Sequence, residues 1–173
     1  MFDDRLRVLI AEDETIIRLD LRQILEENGL VVCGEARDGL EAIELARTTK
    51  PDVALFDIKM PNLDGVEAAR RIYAERPMPV VMLTASADPA LVTRAIGAGI
   101  FGYLTKPFGP RDVLPAIHAA VARHEELLTA RREVGRAHEP IDLAVRASDG
   151  TVVPLRFRRR PDGGLDVTLQ NVK

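Results

Sequence analysis

The sequence predicts an α/β fold: a doubly wound, five-stranded parallel sheet with an extended fifth helix, followed by a small C-terminal antiparallel β-meander. Three observations predict it. Short apolar runs alternate with longer amphipathic ones over the first 137 residues. The apolar runs are nearly continuous, as in strands covered on both faces, where a half-exposed strand would show a polar residue at every second position. Beyond His138 the period changes to two in three successive runs.

The strands are expected at Val8 to Ala11, Val31 to Val32, Val53 to Phe56, Val80 to Leu83 and Phe101 to Leu104. The first helix carries an apolar stripe of Ile16, Leu19, Leu21, Ile24 and Leu25 and ends at Asn28-Gly29, residues that tolerate a left-handed turn. The second runs from Asp38 to Thr49 on Leu40, Ile43, Leu45 and Ala46. The third spans about Asp64 to Glu75 and is stopped by Arg76-Pro77. A fourth opens at Asp88-Pro89, a capping acid with proline at the first helical position, and closes near Gly97 to Gly99. Five strand-then-helix units with short connections specify a right-handed, doubly wound sandwich.

The fifth helix starts near Pro110 and is interrupted only by Pro115 up to about Arg136. At about 1.5 Å per residue it is nearly 40 Å long, more than strands of roughly six residues can cover. Leu114, Ile117, Val121, His124 and Leu128 are spaced three and four apart, with His124 the weak position of a heptad-like seam. Two readings stay open: a helix that packs on the sheet and frays after Leu128, or a dimer-forming stalk. In the tail, Ile141, Leu143 and Val145, then Val153, Leu155 and Phe157, then Leu165, Val167 and Leu169 alternate with mostly polar residues. Asp149-Gly150 and Pro161-Asp162-Gly163-Gly164 divide the runs into a three-stranded meander. The expected domains are therefore 1–123, a helical extension 124–138, and a meander 139–173.

Composition limits the function classes. With 24 basic against 27 acidic residues and a net charge of −3, the chain is no general nucleic-acid coat or polybasic membrane binder. The single cysteine, Cys33, follows Leu30, Val31 and Val32 and is expected to be a buried thiol in a reducing compartment. No stretch approaches the roughly 18 apolar residues of a membrane span, and the amino terminus lacks a long apolar core, so the expected location is the cytoplasm.

In a parallel α/β sheet the working groups lie at the carboxyl ends of the strands. Here these ends carry Glu12-Asp13, Asp57, Thr84 and Lys106-Pro107. With a flavodoxin-like strand order 2-1-3-4-5, the first and third strands are neighbours and Glu12, Asp13 and Asp57 converge. Two like charges 4 Å apart repel by about 4 kcal/mol at an effective dielectric near 20, so three carboxylates call for a cation. Oxygen-only ligation on short open loops suits Mg²⁺. An ammonium at Lys106 and a hydroxyl at Thr84 would complete a surround for a phosphoryl group, and Asp57 can serve as its nucleophile. Singly, each residue also has a structural reading as cap, turn or strand residue; five at four strand ends do not coincide by accident.

The stretches Val8-Leu9-Ile10-Ala11-Glu12-Asp13-Glu14, Phe56-Asp57-Ile58-Lys59-Met60-Pro61 with Asp64-Gly65, Val81-Met82-Leu83-Thr84-Ala85 and Tyr103-Leu104-Thr105-Lys106-Pro107-Phe108 resemble the response-regulator receiver domain, the CheY-like module of two-component signalling. The resemblance implies that Asp57 accepts phosphate from a partner sensor histidine kinase. It also implies that Glu12, Asp13, Asp57 and the Lys59 main-chain carbonyl hold Mg²⁺. Lys106 and Thr84 would contact the phosphoryl group, Tyr103 would be the switch aromatic, and Lys106-Pro107 would be cis. Lys59 and Ser86 lie where a side chain could tune hydrolysis of the acyl phosphate. The only catalysis implied is Mg²⁺-dependent loss of the chain's own phosphoryl group; no other residues suggest a metabolic substrate.

Leu9 to Glu14 with Arg18, Leu21 and the long fifth helix look most similar to regulators with an ANTAR output, a helical RNA-binding module. The β tail departs from that pattern, so an RNA output is not carried over. The output expected is a protein-docking or dimerisation face, on the fourth to fifth helices or the helical extension. Phosphorylation-controlled nucleic-acid binding through Arg146, Arg156, Arg158, Arg159 and Arg160 is the alternative, which the near absence of stacking aromatics disfavours.

Overall fold

A computed structural model describes residues 5–85, 97–137, 141–146, 152–159 and 165–169. The elements are β1 (Arg7–Ala11), α1 (Thr15–Glu27), β2 (Val31–Ala36), α2 (Gly39–Thr49), β3 (Val53–Asp57), α3 (Gly65–Glu75), β4 (Val80–Thr84), β5 (Ile100–Thr105), α4 (Pro110–Ala137), β6 (Ile141–Arg146), β7 (Val152–Arg159) and β8 (Leu165–Leu169). The helix expected from Asp88-Pro89, with Ser86 just before it, lies outside the described residues; α4 is the helix expected as the fifth. The chain divides into two compact units, residues 1–125 and 126–173.

In the first unit five parallel strands are ordered β2-β1-β3-β4-β5. The three central strands β1, β3 and β4 have their apolar residues wholly buried on both faces. Alternation sorts their side chains into two cores. Leu9, Ala11, Ala54, Phe56, Val80 and Met82 point to one, with α2 and α3; Val8, Ile10, Val53, Leu55, Val81 and Leu83 point to the other, with α1 and the first turns of α4. Each fully buried Val, Leu, Ile, Phe or Met side chain contributes about 1.5–3 kcal/mol of transfer free energy.

The two outer strands correct the expectation of two-sided cover. β2 and β5 are largely half-exposed, because each has a neighbour on one edge only. Cys33 is accordingly half-buried rather than buried, its thiol 3.4 Å from the Val8 carbonyl. β2 also runs on through Gly34 and Glu35, with a register shift where Val8 and Leu9 pair with it.

The helices correct two apolar stripes. Ile16 is 83% and Leu19 54% exposed, while Arg18, Leu21, Ile24 and Leu25 are buried. At 3.6 residues per turn Ile16 and Leu19 lie roughly 140° and 160° around the helix from Leu21. Leu40 is 53% exposed for the same reason, and α2 is seated instead on Gly39, Ala42, Ile43 and Ala46. Helix starts are built as expected from Asp38 and Asp64, whose carboxylates accept the main-chain N–H of Glu41 and Glu67. Gly29 supplies the left-handed φ of +80° after α1.

Of the seam on α4, Ile117 and His124 are buried in the first unit, Leu114 and Val121 are half-buried there, and Leu128 belongs to the second unit. Val113, Ile117, Ala120 and His124 are buried, and the His124 ring stands edge-on to Phe101 and Tyr73 at centroid distances of 5.2 and 6.1 Å. The position expected to be weak is therefore a packing residue, since an imidazole offers an aromatic edge as well as polar nitrogens. In the second unit β6, β7 and β8 form an antiparallel sheet in that order, with Leu143 opposite Leu155 and Leu155 opposite Leu169. Arg156, Asp166 and Thr168, on the polar alternation, are exposed. The Asp149-Gly150 and Pro161 to Gly164 turns lie outside the described residues, as do the side chains of Arg146, Arg158, Arg159 and Arg160.

Candidate functional site

The site forms where β1, β3, β4 and β5 end. Glu12 continues β1: its N–H donates to the Ala36 carbonyl at 3.0 Å and its side chain is wholly buried. One carboxylate oxygen accepts the Glu14 N–H at 3.1 Å. Glu14, not Glu12 or Asp13, is the N-cap of α1, and it makes no side-chain capping bond. Asp13 is exposed at the mouth.

Asp57 closes β3 and is 8% exposed. The turn beyond it is tight, with the Ile58 N–H donating to Leu83 and the Gly65 N–H donating to Ile58. Thr84 closes β4 and is buried, and the Lys106 N–H donates to its carbonyl at 2.8 Å. The adjoining Lys106-Pro107 peptide is cis. These backbone ties carry the Lys106 side chain over the acids, where its Nζ lies 2.8 Å from Glu12 Oε2 and 3.1 Å from Asp57 Oδ1.

Glu12, Asp13 and Asp57 each offer one oxygen, all within 4.8 Å of one another. One ammonium thus faces three carboxylates. Burial raises the Glu12 carboxyl above the usual range, and the Lys106 hydrogen bond offsets that only in part. Burial works against the Lys106 ammonium too, but its bonds to Glu12 and Asp57 together outweigh it and hold lysine above its usual value. An oxygen-only donor set carrying surplus negative charge fits a hard divalent cation such as Mg²⁺.

Lys59 has an exposed side chain on the β3–α3 connection, and Tyr103 on β5 pairs in register with Met82 and is 39% exposed. Ser86 lies outside the described residues. Beyond Lys106, Ile17, Asp20, Pro107 and Phe108 line an open cavity of about 310 Å³ with it.

Two contributors escaped the reading of the sequence as site residues. Gly65 packs so closely on the Asp57 carbonyl oxygen that a Cβ there would overlap it. Arg18, on the core face of α1, donates to the main-chain carbonyl of Glu12 at 2.7 Å. The signal for Arg18 was a basic residue standing in register with Leu21 and Leu25; the signal for Gly65 was its place directly after the capping Asp64.

Comparison with known proteins agrees with this geometry. The response regulator receiver domain family matches residues 8–118. The transcriptional regulatory protein PdtaR of Mycobacterium tuberculosis is 48% identical over 136 residues, 79% of this chain and 66% of PdtaR. The transcriptional regulatory protein CseB of Streptomyces coelicolor is 40% identical over 120 residues, 69% of this chain and 51% of CseB. The chain thus spans between half and just under two thirds of these relatives. Among solved structures, the signal receiver domain of a modulated diguanylate cyclase from Desulfovibrio desulfuricans matches with a TM-score of 0.66 at 36% identity, over 72% of this chain and 99% of that one. A CheY-like receiver domain protein from Methanospirillum hungatei matches with a TM-score of 0.65 at 32% identity, over 72% and 99%. An acid pocket with its lysine, on this strand order and in this company, is the mark of one lineage: the chain belongs to the response regulator receiver domain family.

Proposed function

We propose that the chain is a two-component response regulator whose Asp57 accepts a phosphoryl group from a sensor histidine kinase in the cytoplasm. The observation that carries the reading is the Lys106 ammonium, 3.1 Å from Asp57 and 2.8 Å from Glu12 in a pocket with Asp13. Asp57 attacks phosphorus through a carboxylate oxygen, the N–P bond of a phosphohistidine breaks, and the imidazole leaves with the bonding pair. Lys106 and Thr84 are placed to meet the incoming phosphoryl oxygens with a charge and a donor. Mg²⁺, held by Glu12, Asp13, Asp57 and the Lys59 main-chain carbonyl, would supply the positive charge that three carboxylates lack. Hydrolysis by water returns Asp57 and phosphate, with Lys59 and Ser86 tuning the rate.

The switch follows from charge. Phosphorylation turns a carboxylate of charge −1 into an acyl phosphate of charge near −2 with new acceptor oxygens, which draws Lys106 and Thr84 inward and lets Tyr103 repack. The face it alters is one for docking or homodimerisation, through α4 and the segment before β5, within a layout of receiver 1–123, extension 124–138 and meander 139–173. Light scattering with Mg²⁺, before and after beryllofluoride, tests the reading. A change of mass, or of partner binding, that is absent in Asp57→Ala supports it; saturation by the mimic with neither change removes the switching half. A second reading, control of transcription, is favoured by the names of PdtaR and CseB. Salt-dependent DNA or RNA binding that is lost on Arg156→Ala with Arg158→Ala would support it.

A further inference from the structure

Arg18 is a charged residue buried beside a pocket whose chemistry does not call on it. It is 7% exposed and stands on the face of α1 that carries Leu21 and Leu25. Burying a guanidinium is unfavourable unless its N–H groups find acceptors. They find the metal-binding loop. Nη1 donates to the Glu12 carbonyl at 2.7 Å and reaches the Asp13 carbonyl at 3.5 Å, while Nη2 reaches Thr15 Oγ1 at 3.5 Å. Nε lies 3.7 Å from Glu35 Oε1 on β2, and Arg22 holds the other oxygen of Glu35 at 3.0 Å. The fork is thereby tied to the sheet at one end and to two consecutive carbonyls at the other.

We propose that Arg18 is the positioning residue of the divalent-cation site: anchored by Glu35, its guanidinium holds the main chain of Glu12 and Asp13 so that their carboxylates face Asp57. The inference rests on the reading of that acid pocket as a Mg²⁺ site. Its logic is that of an outer shell. A planar guanidinium whose Nη1 meets the carbonyls of two successive residues, while Nη2 reaches Thr15 and Nε faces Glu35, fixes that loop at several points, and the side chains of Glu12 and Asp13 leave the same Cα atoms. Lysine cannot reproduce the fork, having one point of charge.

The sign of the effect separates positioning from mere electrostatics. As a nearby cation, Arg18 disfavours Mg²⁺, so a purely electrostatic role predicts tighter metal binding on Arg18→Met. Positioning predicts weaker binding, in the range of about 10–100-fold seen when outer-shell partners are removed. Arg18→Lys, which keeps the charge and loses the fork, is then weakened as well.

The experiment is Mn²⁺ binding to the full chain by electron paramagnetic resonance, with Mg²⁺ competition, on wild type, Arg18→Met, Arg18→Lys and Asp57→Asn, each checked for a cooperative melt. The expected result is wild-type binding that weakens at least tenfold in both Arg18 variants. The Mg²⁺ concentration for half-maximal phosphorylation by acetyl phosphate then rises likewise, while the rate at saturating Mg²⁺ stays within about twofold. Wild-type affinity in the Arg18 variants, or tighter binding in Arg18→Met, overturns the proposal and leaves the metal reading standing. Absence of wild-type binding, or binding indifferent to Asp57→Asn, overturns the metal reading and this inference with it. If Arg18→Met does not fold, Arg18→Lys decides; if neither folds, Arg18 is a structural residue and the proposal fails.

Discussion

Gly65 N–H donates to the Ile58 carbonyl at 3.0 Å, and its Cα is packed so tightly on the Asp57 carbonyl oxygen that no side chain fits between them. The neighbour is backbone and cannot swing aside. Gly65→Ala must therefore push α3 away from β3 or shift the Asp57 peptide. Overpacking of this kind costs about 1–3 kcal/mol. Chemical denaturation is expected to show that loss, and the Mg²⁺ dependence of melting should weaken with it; an unchanged midpoint would mean the turn is softer than its contacts.

Asp57 repels two carboxylates and attracts one ammonium. Without metal, Asp57→Asn removes more repulsion than attraction, so melting in EDTA is expected to rise, by the order of 1 kcal/mol. Added Mg²⁺ should stabilise the wild type by mass action and leave the variant almost unmoved. Equal Mg²⁺ responses in both proteins would place the cation elsewhere.

Lys106 is the cation bonded to the wholly buried Glu12. Lys106→Met leaves that acid without its ion pair, and breaking a buried pair by removing one partner costs about 3–5 kcal/mol. Lys106 is partly exposed, so the lower end is expected in EDTA. A double-mutant cycle with Glu12→Gln should recover most of the loss; strict additivity would deny the coupling.

Asp38 caps α2, and its carboxyl is held below the usual aspartate range first by the Glu41 N–H and then by Asn62. A depressed acid contributes stability above its unfolded value, about 4, and loses it as pH falls through the lower folded value. Asp38→Ala is expected to cost about 1 kcal/mol at pH 7. The gap between variant and wild type should close below pH 4, as urea midpoints across that range would record; a gap that persists at pH 2 would mean the cap acts without its charge.

Most of this architecture was legible because central strands bury both faces. The unbroken apolar runs at Val8, Val53 and Val80 mark β1, β3 and β4, and the acids and threonine at their ends, with the lysine after β5, mark the site. What was not legible depends on the third dimension. β2 and β5 read like central strands, but an edge position half-exposes them and Cys33. Ile16 and Leu19 passed for core because hydrophobicity was counted without fixing the phase of α1, which Leu21, Ile24 and Leu25 set. Arg18 was hidden by the same error of phase: a basic residue at a core-facing position has a partner to find, and here the partner is the backbone of Glu12.

Asp57 as phosphoacceptor is put to the test by intact-mass measurement after exposure of the protein to acetyl phosphate. One phosphoryl group per chain is expected, incorporated with Mg²⁺, suppressed by EDTA and absent in a folded Asp57→Asn variant. No incorporation by the folded wild type with Mg²⁺, or equal incorporation in Asp57→Asn, would contradict it.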